Sequence, residues 1–187
     1  MAKKKSKKKN NTKKIIFSIC VIILAVLTVC TLFMPCFVTK SSVAGVVSND
    51  APIKGTDVIT ALFNGKNSTE FTAGANNLIF LKNAEDTAFV TNLFAWCYFL
   101  AVLVSMVVIV FEIISLLGIR FNLLNIILGI ALAVFALVAF ITFFIVASKL
   151  ANFSGMLSNV KTLVGVGGYF MLAGLTGGVL ETVASTK

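Results

Sequence analysis

KKKSKKKNNTKK (Lys3–Lys14), running straight into IIFSICVIILAVLTVCTLFMPCFV (Ile15–Val38), is the stretch that decides how this chain folds. The first part carries Lys3, Lys4, Lys5, Lys7, Lys8, Lys9, Lys13 and Lys14 and cannot enter hydrocarbon cheaply. The second part carries no charge, and about 20 apolar residues in a helix cover a hydrocarbon core about 30 Å thick. Lysines beside a first span tend to stay cytoplasmic. The pair predicts a basic cytoplasmic tail over 1–14 and a first transmembrane helix over 15–38. A secretory apolar region is about 7–15 residues long; this run is longer and is read as an uncleaved span. Val29 and Pro35 precede Cys30 and Cys36, so the small residue that lipoprotein processing needs is missing.

Outward from this stretch the composition tells the same story. Of the 187 residues, 58% are hydrophobic and only 12% are charged, far from the balance of a soluble domain. The net charge of +9 is local, because the eight lysines named above lie in the first fourteen positions. Such a cluster meets anionic lipid headgroups, at about 1 kcal/mol per lysine near the surface, and no nucleic-acid partner is expected. The chain has no histidine, which removes the commonest metal ligand and the side chain that titrates near neutrality. No metal, cofactor or catalytic residue is expected. The abundance of Lys, Asn, Ile and Phe beside a lone arginine, Arg120, fits an AT-rich genome.

From Thr39 the chain turns to Ser, Thr, Asn, Gly and balanced charge, so 39–91 is read as an extracytoplasmic loop. Within it Thr56 can cap a short helix whose Val58, Ile59, Leu62 and Phe63 share a face, with Gly65 as its stop. Leu78–Leu81 reads as a short strand or a lip on the bilayer. A second span is expected over 92–117, opening with Trp96 and Tyr98 at the outer headgroup level. A cytoplasmic turn follows over 118–120, then a third span over 121–146 and an outer connection over 147–162. The fourth span covers 163–180, and 181–187 is a cytoplasmic tail. The expected fold class is an all-α membrane protein: a four-transmembrane-helix bundle with a structured first extracytoplasmic loop, in the cell membrane, both termini cytoplasmic.

Helices approach closely in lipid through small residues. Gly174-x-x-x-Gly178 with Gly167, Gly129-x-x-x-Ala133 and Ala101-x-x-x-Ser105 supply them, either for internal packing or for a second protein or second copy. Ionisable groups inside a span point to function, and Glu112 is the candidate. It stands six residues before Gly118, about 9 Å from the helix end, where it snorkels or pairs with Arg120, or else couples a proton or cation. The midplane hydroxyls Thr28, Ser105, Thr142 and Thr176 are expected to bond their own helices. Cys20, Cys30, Cys36 and Cys97 form no close Cys-x-x-Cys pair of the redox type; Cys36 and Cys97 lie at similar depth and are read as free thiols or one bridge. Gly165-x-Gly167-Gly168 is no nucleotide loop, for want of a preceding strand and a following lysine. Asn67 and Asn152 open glycosylation-type triplets that carry no weight in a bacterium.

The order of short inner N-terminus, long first outer loop, tight inner turn and short second outer loop resembles the claudin-type tetraspans. Their Gly-Leu-Trp…Cys…Cys signature has no counterpart in 39–91, which holds no cysteine and no tryptophan, so the resemblance implies a layout and no claudin function. Met34-Pro35-Cys36-Phe37-Val38 followed by Gly55-Thr56-Asp57-Val58-Ile59, Leu62-Phe63 and Gly65 is similar to small bacterial membrane proteins of unassigned function. The functional expectation is a non-enzymatic accessory or structural subunit that binds another membrane protein or itself. The alternative is a small transporter or channel subunit with Glu112 as its ionisable site.

Overall fold

The structure, a computed structural model, describes residues 2–43, 46–63, 88–119, 121–150, 153–154 and 158–186. Helix α1 (Ala2–Cys30) is followed by strands β1 (Pro35–Val43) and β2 (Val46–Lys54) and by the short helix α2 (Gly55–Phe63). Then come α3 (Ala88–Leu116), α4 (Asn122–Leu150), β3 (Phe153–Ser154), β4 (Ser158–Val164) and α5 (Val166–Ser185). Three of these helices are long and apolar enough to cross a membrane, over Phe89–Leu116, Asn122–Ser148 and Val166–Ser185, with a shorter apolar helix at Lys14–Cys30. This is the make-up of a multi-pass membrane protein.

The four longer helices close into a ring in which α1 and α4 each pack on both α3 and α5. Buried positions along the seams hold Ala25, Thr28, Ala101, Ser105, Ala136 and Ala139, whereas Ile23, Leu103, Val110, Ile130, Ile141 and Val179 face outward. Small residues inside and large apolar ones outside suit a lipid surround, where burying large side chains gains little and close backbone approach gains dispersion contact. The approach is tightest between α4 and α5. A methyl group at Gly178 would press on the Gly129 carbonyl and the Ala133 amide, and one at Gly129 would press on the Gly178 carbonyl and Thr182. Gly174 stands one turn further along, against Thr28 of α1 and Ala136 of α4. Gly129, Ala133, Gly174 and Gly178 therefore meet inside the chain, and the stripe they form is already covered.

One end of the bundle carries what the all-α reading lacked, a four-stranded antiparallel sheet in the order β2-β1-β4-β3. The first helix stops at Cys30, and Pro35–Val38, expected to complete the first span, belong to β1. Thr31 ends the helix by donating its hydroxyl to the Thr28 carbonyl at 2.6 Å, while the amides of Thr31 to Met34 reach back three residues in a tight final turn. Pro35 then has no N–H to continue a helix, and the β-branched run Val38, Thr39, Val43, Val46 and Val47 suits a pleated surface. Leu163 and Val164, expected in the fourth span, likewise close β4. Strand β1 pairs on one side with β2 (Val38 opposite Pro52) and on the other with β4 (Phe37 opposite Val164). Pro52 sits in an edge strand, where a missing N–H costs no ladder bond.

The sheet is pinned to the helices by rings. Phe37 of β1 is buried between Phe94 of α3, with ring centroids 5.6 Å apart, and Phe143 of α4, at 4.7 Å. Helix α2 forms where the sequence places it, but Asp57 rather than Thr56 caps it, its Oδ2 accepting the Lys54 amide at 2.8 Å. Val58 is buried beneath it. Gly65 and Leu78–Leu81 lie outside the described residues. Tyr98 is a correction: it is 1% exposed and belongs to the core, while Trp96 is 48% exposed.

Candidate functional site

The end of the bundle away from the sheet holds the chemistry. Glu112 lies four residues before the end of α3, Asn125 three residues after the start of α4, and Glu181 four residues before the end of α5. The antiparallel helices bring all three to one layer, about one turn from the helix ends. They are 4%, 6% and 2% exposed respectively. The Asn125 amide donates to Glu112 Oε1 at 3.1 Å, and Ser185 donates its hydroxyl to Glu181 Oε1 at 3.2 Å. The Glu181 carboxyl adjoins both Glu112 and Asn125. Two buried oxygens, Glu112 Oε2 and Asn125 Oδ1, have no hydrogen-bond partner.

Glu112 does not snorkel, and no base among the described residues pairs with it; Arg120 lies outside the described residues. The sequence reading missed Glu181 by ending the fourth span at Leu180 and assigning the rest to a tail. The signal was there: Val183 and Ala184 continue the apolar pattern, and no basic residue follows until Lys187. Asn125 carried a weaker signal, as an amide one turn inside an otherwise apolar run.

No protein-family model, curated protein or solved structure matches the chain.

Other candidate residues fall elsewhere. Helix α1 runs back through the lysine-rich segment, and Lys14 is the one lysine there whose side chain is described, partly buried. Gly167 is at the sheet end, beside the Pro35 carbonyl and Cys36 Sγ. The Gly165-x-Gly167-Gly168 element does follow a strand, contrary to expectation. Its amides face protein all the same: the Gly165 N–H donates to the Cys36 carbonyl at 2.7 Å, and Phe143 lies over Gly168. Thr28, Ser105, Thr142 and Thr176 donate to carbonyls of their own helices, as expected. Among the described residues, no group of three or more His, Cys, Asp or Glu is placed to hold a metal.

The four cysteines are free, with Cys36 and Cys97 buried. Thr31 gives its proton to the Thr28 carbonyl, so in the 3.0 Å contact between Thr31 and Tyr98 the tyrosine is the donor. The Cys36 thiol meets the same Tyr98 hydroxyl. Burial pushes Cys36 from its ordinary 9.0 up to about 12, with Asp57 adding a little and Tyr98 opposing. Below 9.0 the thiol is neutral whether the chain is folded or not, and its contribution to stability is whole. Above 9.0 the unfolded chain ionises first, so the contribution is lost as pH rises towards 12, by about 1.4 kcal/mol per pH unit. Detergent unfolding followed against pH should show this loss, and Cys36→Ala should flatten it. A maleimide at mildly alkaline pH should leave Cys36 unlabelled until the protein is denatured.

Proposed function

We propose that the chain is a non-enzymatic subunit of a cell membrane, crossing it four times with both termini in the cytoplasm, and acting by contact with another membrane protein or a second copy. Helix α1 supplies the fourth crossing in this reading. Its apolar segment is short, but α3 and α5 flank it, and it turns Ile15, Ile19, Ile23 and Val26 outward as its neighbours do. The lysines before it hold that end at an anionic cytoplasmic leaflet. Aromatic pairs fit the two headgroup levels: Phe63, Trp96 and Phe99 cluster at the sheet end, and Phe111 meets Phe121 at the other.

The observation that carries the functional reading is the filled interior. From Phe37 and Phe143 down to Val21, Val108 and Leu132 the space between the helices is occupied by apolar side chains, and the buried hydroxyls of Thr28, Thr31, Ser105 and Thr142 are turned to their own backbones. A carrier needs a polar route, and a scaffold needs shape. Purification in mild detergent should recover a stoichiometric membrane partner or a defined oligomer, and Glu112→Gln should leave that complex intact.

The paired carboxylates favour a second reading, a small transporter or channel subunit with Glu112, and now Glu181, as its ionisable site. A cation- or proton-driven flux in reconstituted vesicles that Glu112→Gln abolishes would replace the scaffold with this reading.

A further inference from the structure

We infer that Glu112 and Glu181, with Asn125, form a binding site for a single proton, held between two carboxyl groups inside the bundle. The inference is independent of whether the chain is a scaffold or a carrier. Glu112 Oε1 takes the Asn125 amide and Glu181 Oε1 takes the Ser185 hydroxyl. Glu112 Oε2 and Asn125 Oδ1 are buried with nothing to accept, and the Glu181 carboxyl adjoins the same group. A carboxylate and an amide oxygen are acceptors only, and leaving such atoms unpaired in a low-dielectric interior is costly, the more so for a charge. The cluster is short of a hydrogen.

Electrostatics points the same way. Two ionised carboxylates in contact repel strongly where the dielectric is low, and among the described residues no opposite charge pairs with them. From α3 and α5 the facing titratable groups are Glu112 and Glu181 themselves, and α4 contributes the uncharged Asn125. The nearest described charge on α1 is Lys14, one turn beyond Ser18 towards the N-terminus, and it makes no ion pair with either acid. One proton removes the repulsion and supplies the missing donor at once. The protonated carboxyl donates its O–H to the other carboxylate or to Asn125 Oδ1, and one negative charge remains, shared over the layer.

A metal ion fits less well. Calcium takes about 6–8 oxygens, and magnesium demands near-ideal octahedral geometry. The layer leaves two buried oxygens without a partner, Glu112 Oε2 and Asn125 Oδ1, beside the Glu181 carboxyl. One hydrogen pairs two such oxygens, one carrying it and one accepting it; a metal ion held by them would have most of its shell still to fill.

The test is infrared spectroscopy of the full chain in lipid vesicles, with the glutamate carboxyl carbons isotopically labelled, in sodium-free and sodium-containing buffers. At neutral pH a protonated-carboxyl C=O band, shifted by the label, should correspond to one glutamate per chain. It should disappear on raising the pH, be indifferent to sodium, calcium or magnesium, and be lost in both Glu112→Gln and Glu181→Gln. In each variant the new amide supplies the donor that the proton had provided. Absence of the band in the wild-type protein at neutral pH overturns the inference, and so does a band that survives both substitutions. Replacement of the band by carboxylate absorption when a metal salt is added assigns the site to a cation instead and overturns it equally. The wild-type spectrum is decisive even where a variant fails to fold, and it stands apart from the capture experiment that tests the scaffold.

Discussion

Gly178→Leu should leave no folded protein. Gly178 of α5 lies over the Gly129 carbonyl and the Ala133 amide of α4, so a side chain there meets main chain, which cannot rotate aside as a flexible side chain would. Overpacking a tight contact costs about 1–3 kcal/mol and occasionally more, and here it falls on the closest helix crossing in the ring. On size exclusion in detergent, the wild-type chain should give a monodisperse peak and the variant should lose it. Gly174→Ala should be milder, because the nearest atoms, 3.0–3.1 Å from the new carbon, are side-chain atoms of Thr28 and Ala136. Gly118→Ala serves as a control of a different kind. Nothing stands within 4 Å of it, but its φ of 100° disfavours any Cβ by roughly 1–2 kcal/mol. A Gly178→Leu protein as stable as wild type would mean that α4 and α5 do not cross here.

The second large effect should come from Phe37→Ala, at about 3–5 kcal/mol. The ring fills the space between Phe94 and Phe143 and is 1% exposed, and its removal leaves a cavity where strand meets helix. The helices keep their own contacts along the lower half of the bundle, around Val21, Val108 and Leu132. The loss should therefore appear first at the sheet: faster proteolysis within β1 and β2, before the helical signal in circular dichroism falls. Simultaneous loss of both would show that the sheet and the bundle unfold as one unit.

The helices were legible because their apolar runs are long and uncharged, and length alone separates such runs from strands. The sheet was not. Pro35–Val38 and Leu163–Val164 are apolar continuations of apolar runs, and short apolar segments do not declare whether they are helix or strand. What decides them is pairing between residues more than a hundred positions apart, Phe37 with Val164, which no local pattern displays. Tyr98 could have been placed from the sequence. Residues two apart on a helix point to nearly opposite sides, so an outward Trp96 already sends Tyr98 inward, to Thr31 and Cys36. The carboxylate layer was half legible: Glu112 stood out as a lone charge in a span, while Glu181 was hidden by a boundary drawn one residue too early. Its partner status depended on antiparallel register, a property of packing and not of sequence.

The strands β1 and β4 are direct continuations of α1 and α5, and their ladder runs from Phe37 opposite Val164 to Val43 opposite Ser158. That ladder acts as a clasp. Two neighbouring rods joined in this way at one tip cannot slip lengthwise past each other without breaking the strand bonds. Whatever freedom they retain is to splay, pivoting about the clasp like the legs of a pair of tongs, with the greatest travel at the free tips, near Glu181 on the α5 leg.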